Sequence, residues 1–306
     1  MAADQLPITS VIIPAYGMAT LSACVERLLD QRGAEPFEVI VCASADAESE
    51  LPTLPSHPRL RVLRIVPRLR AAEARNRAVE VSRGRLLAFT DADVFVSRDW
   101  LAELTQASQG TDCIAGSVVN GTPSSAAGTV EYLVEFLDLH PQRPPRTLWH
   151  GATCNLLVPR TLWDELGPFP EDLGGGEDTW FTVAARTHGR FRFAPTAIVS
   201  HQNRTGWLAV ARHQASFGRF TARLGRRGGY KWRPLVRYTP LAPLAVLGRI
   251  ISLYARVALW DRTSLARAVR LFPGVVAVLG CWGAGLLAEG ARLDFSALRA
   301  RCRRKR

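Results

Sequence analysis

Lysine is almost missing from this sequence: Lys231 and Lys305 are the only two among 39 basic residues. Genomic bias explains that as readily as chemistry does, so arginine usage alone assigns no partner. Acids are scarce in one region only. Residues 204–306 hold 21 Lys or Arg against 3 acids, a balance of +18, whereas residues 1–203 hold 18 Arg against 24 acids, a balance of −6. The formal charge of +12 therefore belongs to the last third, and a uniformly basic nucleic-acid-binding surface is excluded. No CxxC pair occurs. The cysteines (Cys24, Cys42, Cys113, Cys154, Cys281, Cys302) stand far apart, which argues against a zinc finger or a disulfide scaffold and for free thiols in a reducing compartment. The first ten residues lack a basic-then-apolar leader, so a cytosol-facing chain without a signal peptide is expected. Repeats and low-complexity tracts are lacking too. With 306 residues, 47% apolar, the chain is too apolar to be disordered and long enough for one large domain or two small ones.

What is present begins with ITSVIIP (Ile8–Pro14), a short β-branched run bounded by proline, which predicts a buried strand of a parallel sheet. A helical pattern follows from Met18 to Gln31, with Leu21, Val25, Leu28 and Leu29 on one face. Then come FEVIVCA (Phe37–Ala43), LRVLRIV (Leu60–Val66), a helix through Ala71–Ser82, and RLLAFTDAD (Arg85–Asp93). Strands alternating with helices predict one doubly wound α/β sheet, whose ligand site lies beyond the carboxyl ends of the strands. That rim carries Pro14, Ala15 and Tyr16, the loop Ala43–Asp46, and Asp91–Asp93. A second segment, 99–201, predicts a helix over Ala126–Leu139, a proline-rich loop (Pro141–Pro145), a helix over Asp178–His188 after Gly174–Gly176, and a strand ending at His201.

Past Arg204 the composition changes. Arg204–Arg237 is basic with interleaved aromatics, including Trp207, Phe217, Tyr230 and Trp232. Leu241–Trp260 is apolar apart from Arg249 and Arg256, and residues 271–288 carry no charge at all. The second run meets the lower end of the ~17–25 residues that a bilayer span requires. Arg249 and Arg256 lie seven apart on one helical face, which predicts an amphipathic helix in the head-group layer with snorkelling arginines. Buried helices of a soluble domain and a two-pass hairpin remain open alternatives, the hairpin exporting Arg262, Arg267 and Arg270 while returning the tail Arg301–Arg306.

The chemistry-bearing triplet is Asp91-Ala92-Asp93. Two carboxylates two residues apart, directly after an apolar strand, suit a hard divalent cation, Mg²⁺ or Mn²⁺, that grips a diphosphate and neutralises it as it leaves. Alone, such a triplet is as well explained by a solvated turn. Glu177-Asp178 opens a helix after three glycines, where a carboxylate can approach a substrate closely, although acids there also answer the helix dipole.

Four separated motifs agree in order and spacing: SVIIPAY, Ala74-Arg75-Asn76, LLAFTDADV and GPFPEDLGGGEDTWF. Together they resemble glycosyltransferase family 2, over about Thr9–His201. The resemblance implies a GT-A fold, a nucleoside-diphosphate sugar as donor, and inversion at the anomeric carbon. It implies a catalytic domain over 1–203, with a donor half of about 1–98 and an acceptor half of 99–203; the composition beyond it marks a basic connector (204–237) and a helical, membrane-associated region (238–306). By the same resemblance Asp93 is the main metal ligand, Asp91 its partner reaching ribose or metal-bound water, and His201 a third ligand. Asp178, next to Glu177, becomes the general base. Arg75 would meet the diphosphate, and Ala15, Tyr16 and Ala92 would line the nucleotide. The chain departs from the family after the second strand, where Cys42-Ala43-Ser44-Ala45-Asp46 replaces a usual aspartate pair. Ala43 offers no acceptor to a uracil edge, so Ser44 or Asp46 substitutes, or the nucleotide is not uridine. The processive QxxRW box is absent. Gln214–Phe220 keeps only Gln214 and Arg219, which implies transfer of a single sugar, with Arg219 over the pyrophosphate or on a solvated face.

The expected partners are thus the sugar donor, a lipid or cell-envelope glycan acceptor, and the cytoplasmic face of a membrane, with no nucleic acid. Two rival readings stay testable: a catalytically silent, membrane-anchored nucleotide-sugar-binding module, and a basic C-terminal arm that binds nucleic acid.

Overall fold

The computed structural model describes residues 8–17, 19–34, 36–110, 112–144, 148–227 and 239–303, with side chains as far as 295. Met18, Pro145, Tyr230, Trp232, the Cys302 side chain and the basic tail used above lie outside them. By compactness the chain forms two units. The first comprises residues up to Gly121 with Asp138–Gln202, and the second comprises Thr122–Leu137 with Asn203 onward.

The first unit is built on one eight-stranded sheet. Strands β1 (Thr9–Ala15), β2 (Phe37–Ser44), β3 (Leu60–Ile65), β4 (Leu86–Thr90), β5 (Val94–Val96), β6 (Cys113–Asn120), β7 (Asn155–Pro159) and β8 (Phe191–His201) take the order β3-β2-β1-β4-β7-β6-β8-β5. The first four are parallel, as the apolar runs predict, because helices α1 (Leu21–Leu29) and α2 (Ala71–Val81) connect them. The other half departs from a doubly wound sheet. β7 runs antiparallel to β4 and β6, β5 runs antiparallel to β8, and only β6 and β8 are parallel there. β6 and β7 escape a sequence reading because NLLVP is short and CIAGSVVN contains a glycine. That glycine, Gly116, sits where a Cβ would strike the Asn155 amide, and Asn155 in turn bonds Trp100 Nε1, Ser117 O and Ala197 O across the bulge between β6 and β8. Helices α3 (Trp100–Ser108), α5 (Arg160–Leu166) and α6 (Glu177–Thr187) complete this unit in the described residues.

The second unit is helical: α4 (Ala126–Glu135), α7 (Trp207–Arg227), α8 (Ala242–Trp260), α9 (Leu265–Arg270) and α10 (Phe272–Arg303). Helix α4, expected among the acceptor half, groups with the C-terminal helices instead. Its fully buried Glu131 accepts from Arg204 Nη1 at 2.7 Å, and Glu135 lies 3.3 Å from His213 on α7, so a charged seam joins the two helices. Helices α7 and α10 meet through glycines. A side chain at Gly218 would strike the backbone of Trp282 and Leu286, and one at Gly285 would strike Ala215. Ala222, Ala242, Ala245, Trp282 and Leu286 form the core between them. Arg249 does not snorkel as expected. It turns inward, donates to Val134 O at 3.0 Å and lies 4.4 Å over the Trp282 ring, because a guanidinium inside the unit finds a carbonyl and a π face there. Helices α8 and α10 are each long and apolar enough to cross a bilayer, with a mean hydropathy of 1.5.

Candidate active site

The carboxyl ends of β1, β2 and β4 share one rim, and the acids predicted there fall on it. After β4, Asp91 and Asp93 are half-exposed on either side of the buried Ala92. Their turn is fixed from α1, since Thr20 Oγ1 donates to Ala92 O at 2.8 Å and Cys24 Sγ to Asp91 O at 3.4 Å. It is fixed from the far edge as well. β5 pairs with β8 in a register that sets Val94 opposite His201, and Gln202 N donates to Asp93 O at 2.8 Å. His201 Nε2 thereby stands 3.7 Å from Asp93 Oδ1. Two ligand atoms that share a small divalent cation at about 2.1 Å each lie about 3–4 Å apart, so this pair suits such an ion. Burial, reinforced by the nearby charges of Asp93 and Asp91, pushes the Cys24 thiol up to about 12.

Arg75 joins this acidic turn to the start of α6. Its guanidinium is 4% exposed and forks between Asp91 Oδ1 at 2.6 Å and Glu177 Oε1 at 2.7 Å. The neighbouring Asn76 holds the segment before the glycine run, donating to Phe169 O and Glu171 Oε1 and accepting from Phe169 N. Arg75 and Asn76 thus dock GPFPED and the start of α6 onto α2. An aromatic cluster of Phe89, Trp163, Phe169 and Phe181, with ring centroids 4.9–5.5 Å apart, packs behind that junction. Two expectations change as a result. Arg75 faces carboxylates rather than standing as a free diphosphate clamp, and the Glu177 carboxylate is bound to Arg75 rather than open to a substrate. In both cases the cause is that a buried charge takes the nearest opposite charge.

Asp178 is half-buried on the first turn of α6, after Gly174, Gly175 and Gly176, whose φ of +69°, +139° and +76° lie in the region that a side chain would strain. Its Oδ1 accepts from Thr179 N at 2.6 Å and from Thr179 Oγ1 at 3.3 Å, while Oδ2 accepts from Thr153 N at 3.3 Å. Burial raises its carboxyl above the usual aspartate range, with Arg75 and the two backbone donors pulling the other way. Burial raises Glu177 likewise, against the pull of Arg75. Cys154 stands at the start of β7. Its thiol is raised by burial first, and then by the charges of Asp91, Asp178 and Asp93. The loop Gly151–Cys154, which no sequence motif marks, touches the candidate site through the bond from Thr153 N to Asp178. The only signal for it was its place just before an apolar run.

At the ends of β1 and β2, Ala15 is buried opposite Ala43 in the strand register, and Pro14 is half-buried beside it. Tyr16 is 38% exposed, with the Arg68 guanidinium 3.4 Å from its ring centroid, a partner unforeseen from sequence. Ser44 is buried and its hydroxyl accepts from Leu69 N at 3.1 Å, whereas Asp46 is exposed. Arg219 is exposed on α7, in the second unit.

The family model described as Glycosyl transferase family 2 matches residues 10–159. Among curated proteins, glycosyltransferase AglE of Haloferax volcanii is 29% identical over 210 residues, covering 66% of this chain and 69% of that one. Succinoglycan biosynthesis protein ExoM of Rhizobium meliloti is 34% identical over 157 residues, 46% of this chain and 49% of its own. Pre-mycofactocin glycosyltransferase of Mycobacterium tuberculosis is 29% identical over 271 residues, 76% of this chain and 55% of its own. The chain thus spans about half the length of the last two. In fold it resembles the mannosyltransferase PcManGT from Pyrobaculum calidifontis, solved in complex with GDP-Man and Mn²⁺, with a TM-score of 0.60, 18% identity, and 93% of this chain and 88% of that chain covered.

Proposed function

Since the chain belongs to glycosyltransferase family 2 and is a glycosyltransferase, we propose that it moves one sugar from a nucleoside-diphosphate donor to an acceptor hydroxyl, with inversion and with Asp178 as general base. The observation that carries this reading is the fork of Arg75, which ties the acidic turn after β4 to the start of α6. Asp91, two residues from the proposed metal ligand Asp93, and Glu177, next to the proposed base Asp178, thereby share one buried cation.

In this reading the acceptor oxygen attacks the anomeric carbon, the bond to the nucleoside diphosphate breaks, and the hydroxyl proton passes to Asp178. Oδ2 is the oxygen to receive it, since Oδ1 already accepts two bonds from Thr179 and Oδ2 only a long one from Thr153. Asp93 and His201, with Asp91 beside them, would hold a Mg²⁺ or Mn²⁺ ion, whose chemistry is to neutralise the departing diphosphate. Glu177 and Arg75 position Asp178 and Asp91 rather than touching substrate.

Pro14, Ala15, Tyr16 with Arg68, Ala92 and Asp46 would line the nucleotide. Ala43 lacks a side-chain acceptor and the Ser44 hydroxyl accepts a backbone proton, which favours a base other than uracil. The GDP-Man bound by PcManGT makes a guanosine donor the first to test. Two long apolar helices support a membrane-bound acceptor, which this reading sets at the cytoplasmic face, and the role of ExoM in succinoglycan biosynthesis supports a glycan one. Thermal protection by a panel of nucleotide sugars tests the donor half of this reading. The expected outcome is protection by one nucleotide class that requires Mg²⁺ or Mn²⁺, is removed by EDTA and is lost in Asp93→Ala. Protection indifferent to EDTA and to Asp93→Ala would contradict it.

A further inference from the structure

In the second unit α8 and α10 each leave one face bare. The exposed positions of α8 are Pro243, Leu244, Leu247, Ile251, Ala255 and Leu259, three or four residues apart after the first, so no polar residue is exposed along a helix of about 28 Å. From Phe272 to Ala291 the exposed positions of α10, Val276 and Leu287 among them, are likewise all apolar, and charge returns only at Arg292. Two such faces on neighbouring helices exceed what scattered surface leucines explain.

The opposite sides of both helices are closed to lipid. α10 lies against α7 through Gly218 and Gly285, and nearer its start Gly274 faces Trp207 and Val130. α8 turns Arg249 inward onto Val134 and Trp282. Where α7 crosses Trp282 it exposes Arg219, one residue from the contact glycine, and hydrocarbon on every side would strand that charge. A helix with protein along one side and bare leucines and alanines along the other suits a one-sided interface rather than a span. The turn between α8 and α10 supplies Arg262, Arg267 and Arg270 against Asp261, whose carboxylate already caps Ser264 N, and residues 204–306 hold 21 basic residues against 3 acids.

We propose that the bare faces of α8 and α10 bind one leaflet of an anionic bilayer without crossing it. The proposal rests on the membrane-associated reading above for its occupant and commits that reading to a single leaflet. Flotation of the full chain with phosphatidylcholine–phosphatidylglycerol vesicles, beside pure phosphatidylcholine vesicles, tests it. Binding should favour the anionic vesicles and fall by about tenfold or more in Leu247→Glu/Ile251→Glu, because two apolar side chains are lost from the buried face. In a background carrying Cys281→Ser and Cys302→Ser, Thr263→Cys should react with a membrane-impermeant maleimide on intact vesicles. Protection of that thiol until detergent is added would mean a crossing hairpin and overturn the proposal. Flotation of the double variant equal to wild type would overturn it as well, as would a vesicle-free dimer that the double variant splits, since a second copy would then cover the face. Metal-dependent donor protection measured on the same samples should be unchanged in Leu247→Glu/Ile251→Glu. Its absence from wild type too would end the catalytic reading and leave the anchor standing.

Discussion

Arg75 is the residue on which the site's geometry turns. It lies between Asp91 and Glu177 with 4% of its surface exposed, so removing it strands two carboxylates, one of them buried. Breaking a buried pair in that way costs about 3–5 kcal/mol, and Arg75→Ala should lower stability by an amount of that order in denaturant unfolding. A subtler effect concerns Asp178. Its carboxyl is raised by burial and held down by Arg75, and the proposed base must be ionised. Activity should therefore fall, as pH drops, at a pH above the ordinary aspartate value of about 3.9, and Arg75→Gln should move that acid limb higher still. A kcat/KM profile against pH checks both; a limb that Arg75→Gln leaves in place would separate Arg75 from the base. At this scale Asp91, Asp93 and Asp178 are legible because acids after an apolar strand and at a helix start are informative in combination. The partners of Arg75 are not legible, since a forked cation suits a diphosphate and a pair of carboxylates equally well in a string of letters. Ser44 is similar, because its bond to Leu69 N depends on a loop 25 residues away.

Among the elements, the first four strands and their helices could be read from the sequence because buried parallel strands form unbroken apolar runs. β5 could not, being three residues long, yet its pairing with β8 is what sets Asp93 beside His201. Helix α7 reads as a basic connector because the closest part of its contact with α10 is made by glycine backbone. Gly218 and Gly285 contribute closeness rather than apolar side chains, and hydrophobic periodicity does not register that. Gly285→Val should accordingly overpack the crossing and destabilise the protein by about 1–3 kcal/mol or more, read as a lowered Tm, whereas Gly280→Ala, in open space on the same helix, should leave Tm nearly unchanged. Equal effects from the two substitutions would remove the close crossing from the account.

At the level of the molecule, the division of charge is the feature most plainly written in the sequence, and it falls close to the structural division. Acids outnumber bases before residue 204, where the proposed metal and base residues lie, and the basic excess belongs to the helical unit. Only α4 crosses that boundary in sequence. It joins the second unit through Glu131 and Arg204, which are 73 residues apart, a pairing that no local pattern encodes. Arg219, which the sequence leaves either over the pyrophosphate or on a solvated face, belongs to the second unit, while Asp91, Asp93, Glu177, Asp178 and His201 all belong to the first. The central claim is therefore that Asp178 acts on the acceptor while the acids after β4 act on the donor. Comparing donor binding with turnover in Asp178→Asn tests that division of labour most directly. The account predicts metal-dependent donor affinity within a few-fold of wild type and sugar transfer lowered by about a hundredfold or more. Wild-type transfer in that variant, or loss of donor binding together with transfer, would contradict it.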